Sequence, residues 1–412
     1  MRLYIILLCF LFAYSWQAFG QTQSSSLYAA YGLGVPQQTH FGAIEALAGT
    51  GIGLQLPYNL NTKNPASLNS LAAPFTMFFN LGLNTKLTQT TDQTQESMRL
   101  GGGLTNLDMW FRIKRNWSLL IGVSPFTEAD YSIFRREFFP QDGSNYTVLY
   151  EGEGGLTQAR LSQAWTLFDR LHLGLTGYLY FGSITRSENV FGINSSGDFT
   201  VETNTAFADV NFELGVQYVI PVGESKYTIG STFRPQANLA SDQDYTLTTA
   251  LESLEGELAR TETYYLPMRL GFGGAFQSKK WLFAVDATYE EWSSANGNQE
   301  RLVTYKDVLA LSAGAEYALF KRQSDYAIQA TRIRAGVGVR NSYLELDEQD
   351  FLVWQFTLGV GIPFSRAQNL LNISYQYNRQ GDISNSLVRD ITHTIAFSFD
   401  LRDIWFKKRR FQ

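Results

Sequence analysis

Tyr265 to Trp292 reads YLPMRLGFGGAFQSKKWLFAVDATYEEW, and its alternation decides the fold. Met268, Leu270, Phe272, Gly274 and Phe276 fall on one face of an extended chain, with Arg269, Gly271, Gly273, Ala275 and Gln277 on the other. After the short turn Ser278-Lys279-Lys280 the pattern repeats. Trp281, Phe283, Val285, Ala287 and Tyr289 share one face, and Asp286, Thr288 and Glu290 share the other. The spacing predicts an antiparallel hairpin. Tyr265 and Tyr289 near one end and Trp281 near the other are placed as amphipathic rings are at the two edges of an apolar membrane band. Two membrane-crossing strands are expected.

The same rhythm runs outward from this hairpin. Phe75 to Leu83, Leu107 to Ile113, Trp117 to Phe126, Gly155 to Leu167, Leu171 to Ser183, Phe207 to Ile220 and Tyr227 to Arg234 precede it. Val308 to Leu319, Ile328 to Tyr343, Phe351 to Ile362, Asn369 to Asn378 and Ile391 to Leu401 follow it. The total is fourteen, an even number that closes an antiparallel transmembrane barrel. Alternate links are short (KRN, FDR, PVGES, SKK, KRQSDYA, PFSRAQ), whereas Thr127 to Gly154 and Pro235 to Tyr264 are long. Short periplasmic turns and long extracellular loops have this asymmetry. The fold class expected is all-β, a barrel of about fourteen strands with an N-terminal plug in its lumen.

Composition agrees with strands. Aromatic residues make up 15% of the 412-residue chain, with 35 glycines against 10 prolines. Beyond the N-terminus no apolar run reaches the roughly eighteen residues that a membrane helix needs. Residues 1–20 read as a secretory signal cleaved near Gly20: Arg2, an apolar run from Leu3 to Tyr14, then Ala18-Phe19-Gly20. The lone Cys9 lies within it, so the mature chain is expected to have no thiol chemistry. Residues 21–72 lack strand periodicity and are rich in small residues, which suits a compact lumenal hatch, and a flexible tail is the alternative. The barrel spans 73–402, and 403–412 form a basic periplasmic tail that either meets anionic lipid or is a solvated end.

Alternation sends Arg269, Asp286, Glu290, Glu316, Arg332 and Arg334 to the lumen on four successive strands. Opposite charges there can pair across the ladder, which argues against a wide open pore. Leu251, Leu254 and Leu258 stand at helical spacing in a long loop; a short amphipathic helix there either receives an apolar ligand or packs the loop on the rim. Pro125 cannot donate to a ladder, so pairing either breaks at Pro125-Phe126 or ends there at the rim. The three histidines, His40, His172 and His393, lack a nucleophile motif and metal-ligand spacing. An enzyme, a metal and a cofactor are therefore not expected. The net charge of −5 gives no reason to expect a nucleic-acid partner.

Four stretches together resemble the FadL-type outer-membrane transporters of long-chain fatty acids and other hydrophobic compounds, in their Bacteroidetes-like branch. They are Asn64-Pro65-Ala66; Trp117 to Phe126; Gly154 to Gln158 with Leu173 to Gly182; and Leu266-Pro267 through Asp286 to Trp292. The resemblance implies a hatch set by Asn64, Pro65 and Ala66, a kinked third strand with a lateral opening, and passive uptake of small hydrophobic molecules across the outer membrane. Its partners would be outer-membrane lipid and a hydrophobic ligand. A second role, known among such relatives, is a non-transporting structural subunit of a larger secretion or barrel-assembly complex, with other outer-membrane proteins as partners.

Overall fold

A computed structural model describes residues 26–404 apart from 39, 94–95, 139–144, 192–197, 250, 258–263, 295–302, 325–326, 347–350, 365–368 and 384–387. The expected signal sequence and most of the basic tail lie outside the described residues. Fourteen antiparallel strands close a barrel. They are β1 (Met77–Thr91), β2 (Glu96–Lys114), β3 (Trp117–Pro125), β4 (Asn145–Leu167), β5 (Leu171–Phe191), β6 (Phe199–Val222) and β7 (Ser225–Arg234). Then come β8 (Met268–Gln277), β9 (Trp281–Glu291), β10 (Val308–Ser324), β11 (Ala327–Asn341), β12 (Leu352–Pro363), β13 (Leu370–Gln380) and β14 (Arg389–Asp403). Closure comes from β1 on β14, which pair from Met77 with Asp403 to Thr91 with Arg389.

The burial pattern is the inverse of a soluble protein's. On β6, Gln217 is 0% and Glu213 5% exposed, while Val216 is 42% and Phe212 45% exposed. Polar groups therefore face a filled lumen, and apolar groups face outward. Outside the barrel near a short turn, Trp281 lies 4.5 Å from Tyr317 and stacks on Phe283 at 5.6 Å. No described helix is long and apolar enough to cross a membrane.

Two expectations need correction here. Tyr265 is not part of the outer aromatic edge: it lies in a short strand (Tyr264–Leu266) that pairs with Ala237–Leu239, and it packs against the buried cluster around Tyr28, Tyr305 and Tyr343. Pro267 interrupts the run, so the outward parity that begins at Met268 does not reach it. The long links are also more regular than loops. β4, β5 and β6 run for 23, 21 and 24 residues, and at about 3.3 Å per residue they extend well past an apolar band of about 25 Å. Strand Ser241–Thr249 adds to the projecting part of β6 and carries Ser253–Glu257 in a hairpin.

The wall is uneven at β3. Its ladder to β2 runs from Lys114 with Trp117 to Leu107 with Val123, and its ladder to β4 ends at Pro125 with Thr157. Pairing with β4 resumes at Tyr131–Phe138, opposite Asn145 to Gly152. Among the described residues, no ladder joins Tyr131–Phe138 to the Glu96–Leu104 part of β2. Between these pieces Thr127 and Glu128 pair instead with Pro36 and Val35 of the N-terminal segment, and Gln37 donates to the Phe126 carbonyl at 2.9 Å. Opposite the break, Gly154 and Gly155 have φ of 100° and 146°, a backbone that L side chains rarely adopt.

Candidate functional site: a seated N-terminal segment beneath a lumenal cavity

The described residues before β1, from Ser26 on, lie within the barrel, held from several sides. The segment has three short 3-10 turns, Leu27–Ala30, Glu45–Leu47 and Pro65–Ser70. Asn64 is the N-cap of the last, accepting from the Ala66 amide at 3.0 Å. Its amide donates to the carbonyls of Ile52 at 2.9 Å and Val216 at 3.1 Å. One side chain thus ends a turn, closes the segment on itself and ties it to β6. Pro65 at the first helical position has no amide to leave unsatisfied.

The inner wall is shaped to receive this segment. A β-carbon at Gly174 would overlap the Ala66 amide, one at Gly215 the Asn64 side chain and one at Gly230 the Ile52 carbonyl. At Gly314 it would press on Leu47 at 2.8 Å, and at Gly359 on Ala46 at 2.5 Å. Glycines at inward-facing positions of β5, β6, β7, β10 and β12 therefore let backbone approach backbone, where any side chain would fill the space. Polar side chains finish the seat. Gln217 donates to the Ile52 carbonyl at 2.8 Å, and Thr357 to that of Ala46 at 2.9 Å.

The six inward charges do not act as one set. Arg269 meets Glu290 at 3.4 Å, and Glu316 holds both Arg332 at 2.9 Å and Arg334 at 2.7 Å. Arg334 also reaches Asn59 of the segment at 3.2 Å. Asp286 departs from the expected ladder pair: its Oδ2 accepts the backbone amides of Gly51 at 2.7 Å and Ile52 at 2.9 Å. It is a clamp on the segment, holding two successive backbone amides with one carboxylate oxygen. A pair that sequence reading missed is Asp108 with Arg160, joined at 2.6 Å and fully buried. These residues sit on β2 and β4 and meet across β3 at Gly122, where a β-carbon would overlap Asp108. The signal was an inward glycine between two strands of opposite charge.

Above the segment, toward the long-strand end, lies a cavity of about 1220 Å³. Its lining includes Gly102 to Thr105 on β2 and Pro125 to Glu128 beside the break, so it reaches the interrupted wall. Aromatic groups form one side: Trp292 is 4.8 Å from Tyr343, which stacks parallel to Tyr305. His40, Glu45 and Lys63 of the segment line it too. Burial, with the charges of Lys63, Arg269, Arg160 and Arg234, holds the His40 imidazole well below its ordinary range. Burial raises the Glu45 carboxyl to about 7, and burial with the Arg269 charge lowers the Lys63 ammonium to about 7.

The leucine-bearing loop forms no helix. Leu254 pairs with Leu247 in the 241–257 hairpin and Leu251 stands 93% exposed at its turn, while Leu258 lies outside the described residues. Thr246, Leu247, Thr248 and Thr249 favour extended backbone, and the projecting edge of β6 supplies a ladder that an isolated helical turn lacks. The histidines stand apart: His172 bonds Thr166 at 3.0 Å, His393 bonds Tyr375 at 2.7 Å, and His40 lies in the segment.

A family model described as BamG matches residues 1–412. The chain belongs to the BamG family. Solved structures similar to this BamG-family barrel include a FadL homologue of Pseudomonas aeruginosa, 14% identical with a TM-score of 0.62, covering 90% of this chain and 99% of that one. The toluene transporter TbuX of Ralstonia pickettii is 15% identical with a TM-score of 0.60, covering 88% and 98%. The toluene transporter TodX of P. putida is 13% identical with a TM-score of 0.60, covering 89% and 99%. At these identities the likeness establishes the FadL-like fold. No curated protein matches the chain.

Proposed function

We propose that this BamG-family barrel lies in the bacterial outer membrane and gives small hydrophobic molecules a passive path into it. A molecule captured in the cavity leaves through the wall at Pro125-Phe126, between β2 and Tyr131–Phe138, and so enters lipid without crossing a water-filled lumen. The observation that carries this reading is the interrupted ladder beside the cavity, with Gly102 to Thr105 and Pro125 to Glu128 lining both. The segment around Asn64, Pro65 and Ala66 is the hatch that closes the path below, within a mature chain divided into hatch (21–72), barrel (73–402) and basic tail (403–412). The similar structures described as toluene transporters support a small apolar ligand.

The test is passage of a small aromatic hydrocarbon such as toluene in vesicles carrying the full-length barrel. Faster entry than in empty vesicles, abolished by bridging the gap with a disulfide between cysteines placed on β2 and the 131–138 strand, is expected. Passage unaffected by the bridge overturns the route.

A second reading is favoured by the family match over the whole chain and by the seat itself. A segment held backbone to backbone against glycines suits a static structural subunit of a barrel-assembly complex. Purification in mild detergent from the native membrane separates the two. Stoichiometric outer-membrane partners and no passage favour the subunit; a free barrel that conducts toluene favours uptake.

A further inference from the structure

The outer wall carries two neighbouring arginines at the long-strand margin. On β14 the outward row climbs from Leu401 through Phe399, Phe397, Ile395, His393 and Ile391 to Arg389, while Asp390, Thr394, Ser398 and Asp400 of the same strand are buried on the inner side. From Leu401 to Arg389 the strand covers about 40 Å at about 3.3 Å per residue, or about 30 Å of height at a tilt of about 40°. Arg389 therefore stands just past an apolar band of about 25 Å. On β13 the outward row Ile373, Tyr375, Tyr377 ends at Arg379, whose register partner is Ile391. Arg379 and Arg389 are thus diagonal neighbours on one face, about 7–8 Å apart.

Among the described residues neither guanidinium has an ion-pair partner, and the Arg389 Nε has no hydrogen-bond partner. The carboxylates nearest along the ladder are engaged elsewhere. Asp390 faces inward and accepts from Ser26 at 2.5 Å and Thr90 at 2.7 Å. Glu96, two strands from Arg389, accepts from Gln89 at 2.6 Å. Like charges in neighbouring positions repel, and a shared anion relieves them. The wall beside the pair is aromatic: Trp354 on β12 is the register partner of Arg379, the Tyr377 ring meets His393 edge-on at 5.5 Å, and the Tyr375 hydroxyl bonds His393 at 2.7 Å. Amphipathic rings of this kind mark the headgroup level. The basic patch is confined to one sector. On β9 the same margin is acidic, with Glu291 above Tyr289, whose hydroxyl donates to Asp307 at 2.7 Å.

We propose that Arg379 and Arg389 bind a phosphate of the outer-leaflet glycolipid, lipid A, whose acyl chains lie against Phe356, Ile395 and Phe397. Two guanidinium forks match the oxygens of one phosphate, and the exposed apolar side chains below them receive hydrocarbon. The site is on the outer wall and apart from the cavity, so it rests only on the barrel's place in the outer membrane and holds under either reading of its function.

The experiment is native mass spectrometry of the full-length barrel in mild detergent, titrated with bisphosphorylated lipid A and with the same lipid freed of phosphate. The phosphorylated lipid is expected to bind at least about tenfold more tightly, the scale of one charge-assisted hydrogen bond. Arg379→Gln and Arg389→Gln together remove that difference, and Glu291→Gln in the acidic sector leaves it unchanged. Heat-modifiable gel migration reports that each barrel is closed. Equal affinity for the two lipids overturns the site, as does a difference that survives both arginine substitutions. Phosphatidylglycerol is expected to displace lipid A only weakly; displacement as strong as by lipid A itself overturns the assignment to the outer-leaflet glycolipid.

Discussion

The β8–β9 hairpin and the third strand begin from the same material and end differently. Both alternate apolar and small or polar residues, and both put the apolar set outward. In the hairpin the ladder is continuous from Met268 with Glu291 to Gln277 with Leu282. In the third strand it stops at Pro125, gives two residues to the N-terminal segment, and resumes on β4 alone. Alternation thus decides which side meets lipid, while the continuity of the wall depends on a proline, a glycine pair across from it and a segment inside ready to take up the freed edge.

The largest effect that would break this comparison lies in the unbroken hairpin. Val285, midway between Trp281 and Tyr289 and 60% exposed, faces the apolar band. Val285→Arg is expected to destabilise the barrel by about 2–4 kcal/mol in chemical unfolding from lipid vesicles; a change below about 1 kcal/mol there would mean that this face does not meet the hydrocarbon.

Next comes the seat. Gly215→Val drives a side chain into Asn64 and Pro65, and overpacking of this kind costs about 1–3 kcal/mol. The expected sign is new protease cleavage within residues 26–72 while the strands stay protected; a segment that remains resistant would show that the close approach is not what holds it.

At the break, Pro125→Val restores an amide to the ladder edge. Stability should change by less than about 1 kcal/mol, whereas toluene passage should fall severalfold. If passage is unchanged, the gap and the path are separate features.

The smallest effect is on pH. Glu45 titrates near 7 in the seated segment against an ordinary value of 4.5, so its contribution to seating is full below about 4.5 and is lost as pH rises through about 7. Lys63 has the opposite sign: its depressed value gives a contribution present above 10.5 and lost as pH falls through about 7. His40, held well below its ordinary 6.5, gives a contribution that is lost as pH falls below about 6.5 and offsets the Glu45 gain there, so the net gain of seating with pH lies above about 7. In protease-protection melts Glu45→Gln should expose a loss of seating as pH drops below about 6.5 and leave the alkaline limb in place.

Much of the barrel was legible because a period of two is local. The inward charges Arg269, Glu290, Glu316, Arg332 and Arg334 could be named from parity alone, since a strand in a known register has no freedom to turn one residue over. Leu251, Leu254 and Leu258 misled because a three-and-four spacing is also compatible with a hairpin when a neighbouring edge offers hydrogen bonds, and that edge, Phe199 to Phe207, is remote in sequence. Tyr265 misled because parity was carried back across Pro267.

The sequence by itself determined the number of strands, the face each turns to lipid and the polarity of the lumen, because each follows from residues adjacent along the chain. Tertiary structure alone decided that Asp286 would clamp two amides of residues 51 and 52, that Asp108 would reach Arg160 over Gly122, and that Arg234 and Arg269 would stand side by side. Those contacts join residues separated by tens to hundreds of positions, and they form only when the closed barrel fixes the register of its strands around the segment within.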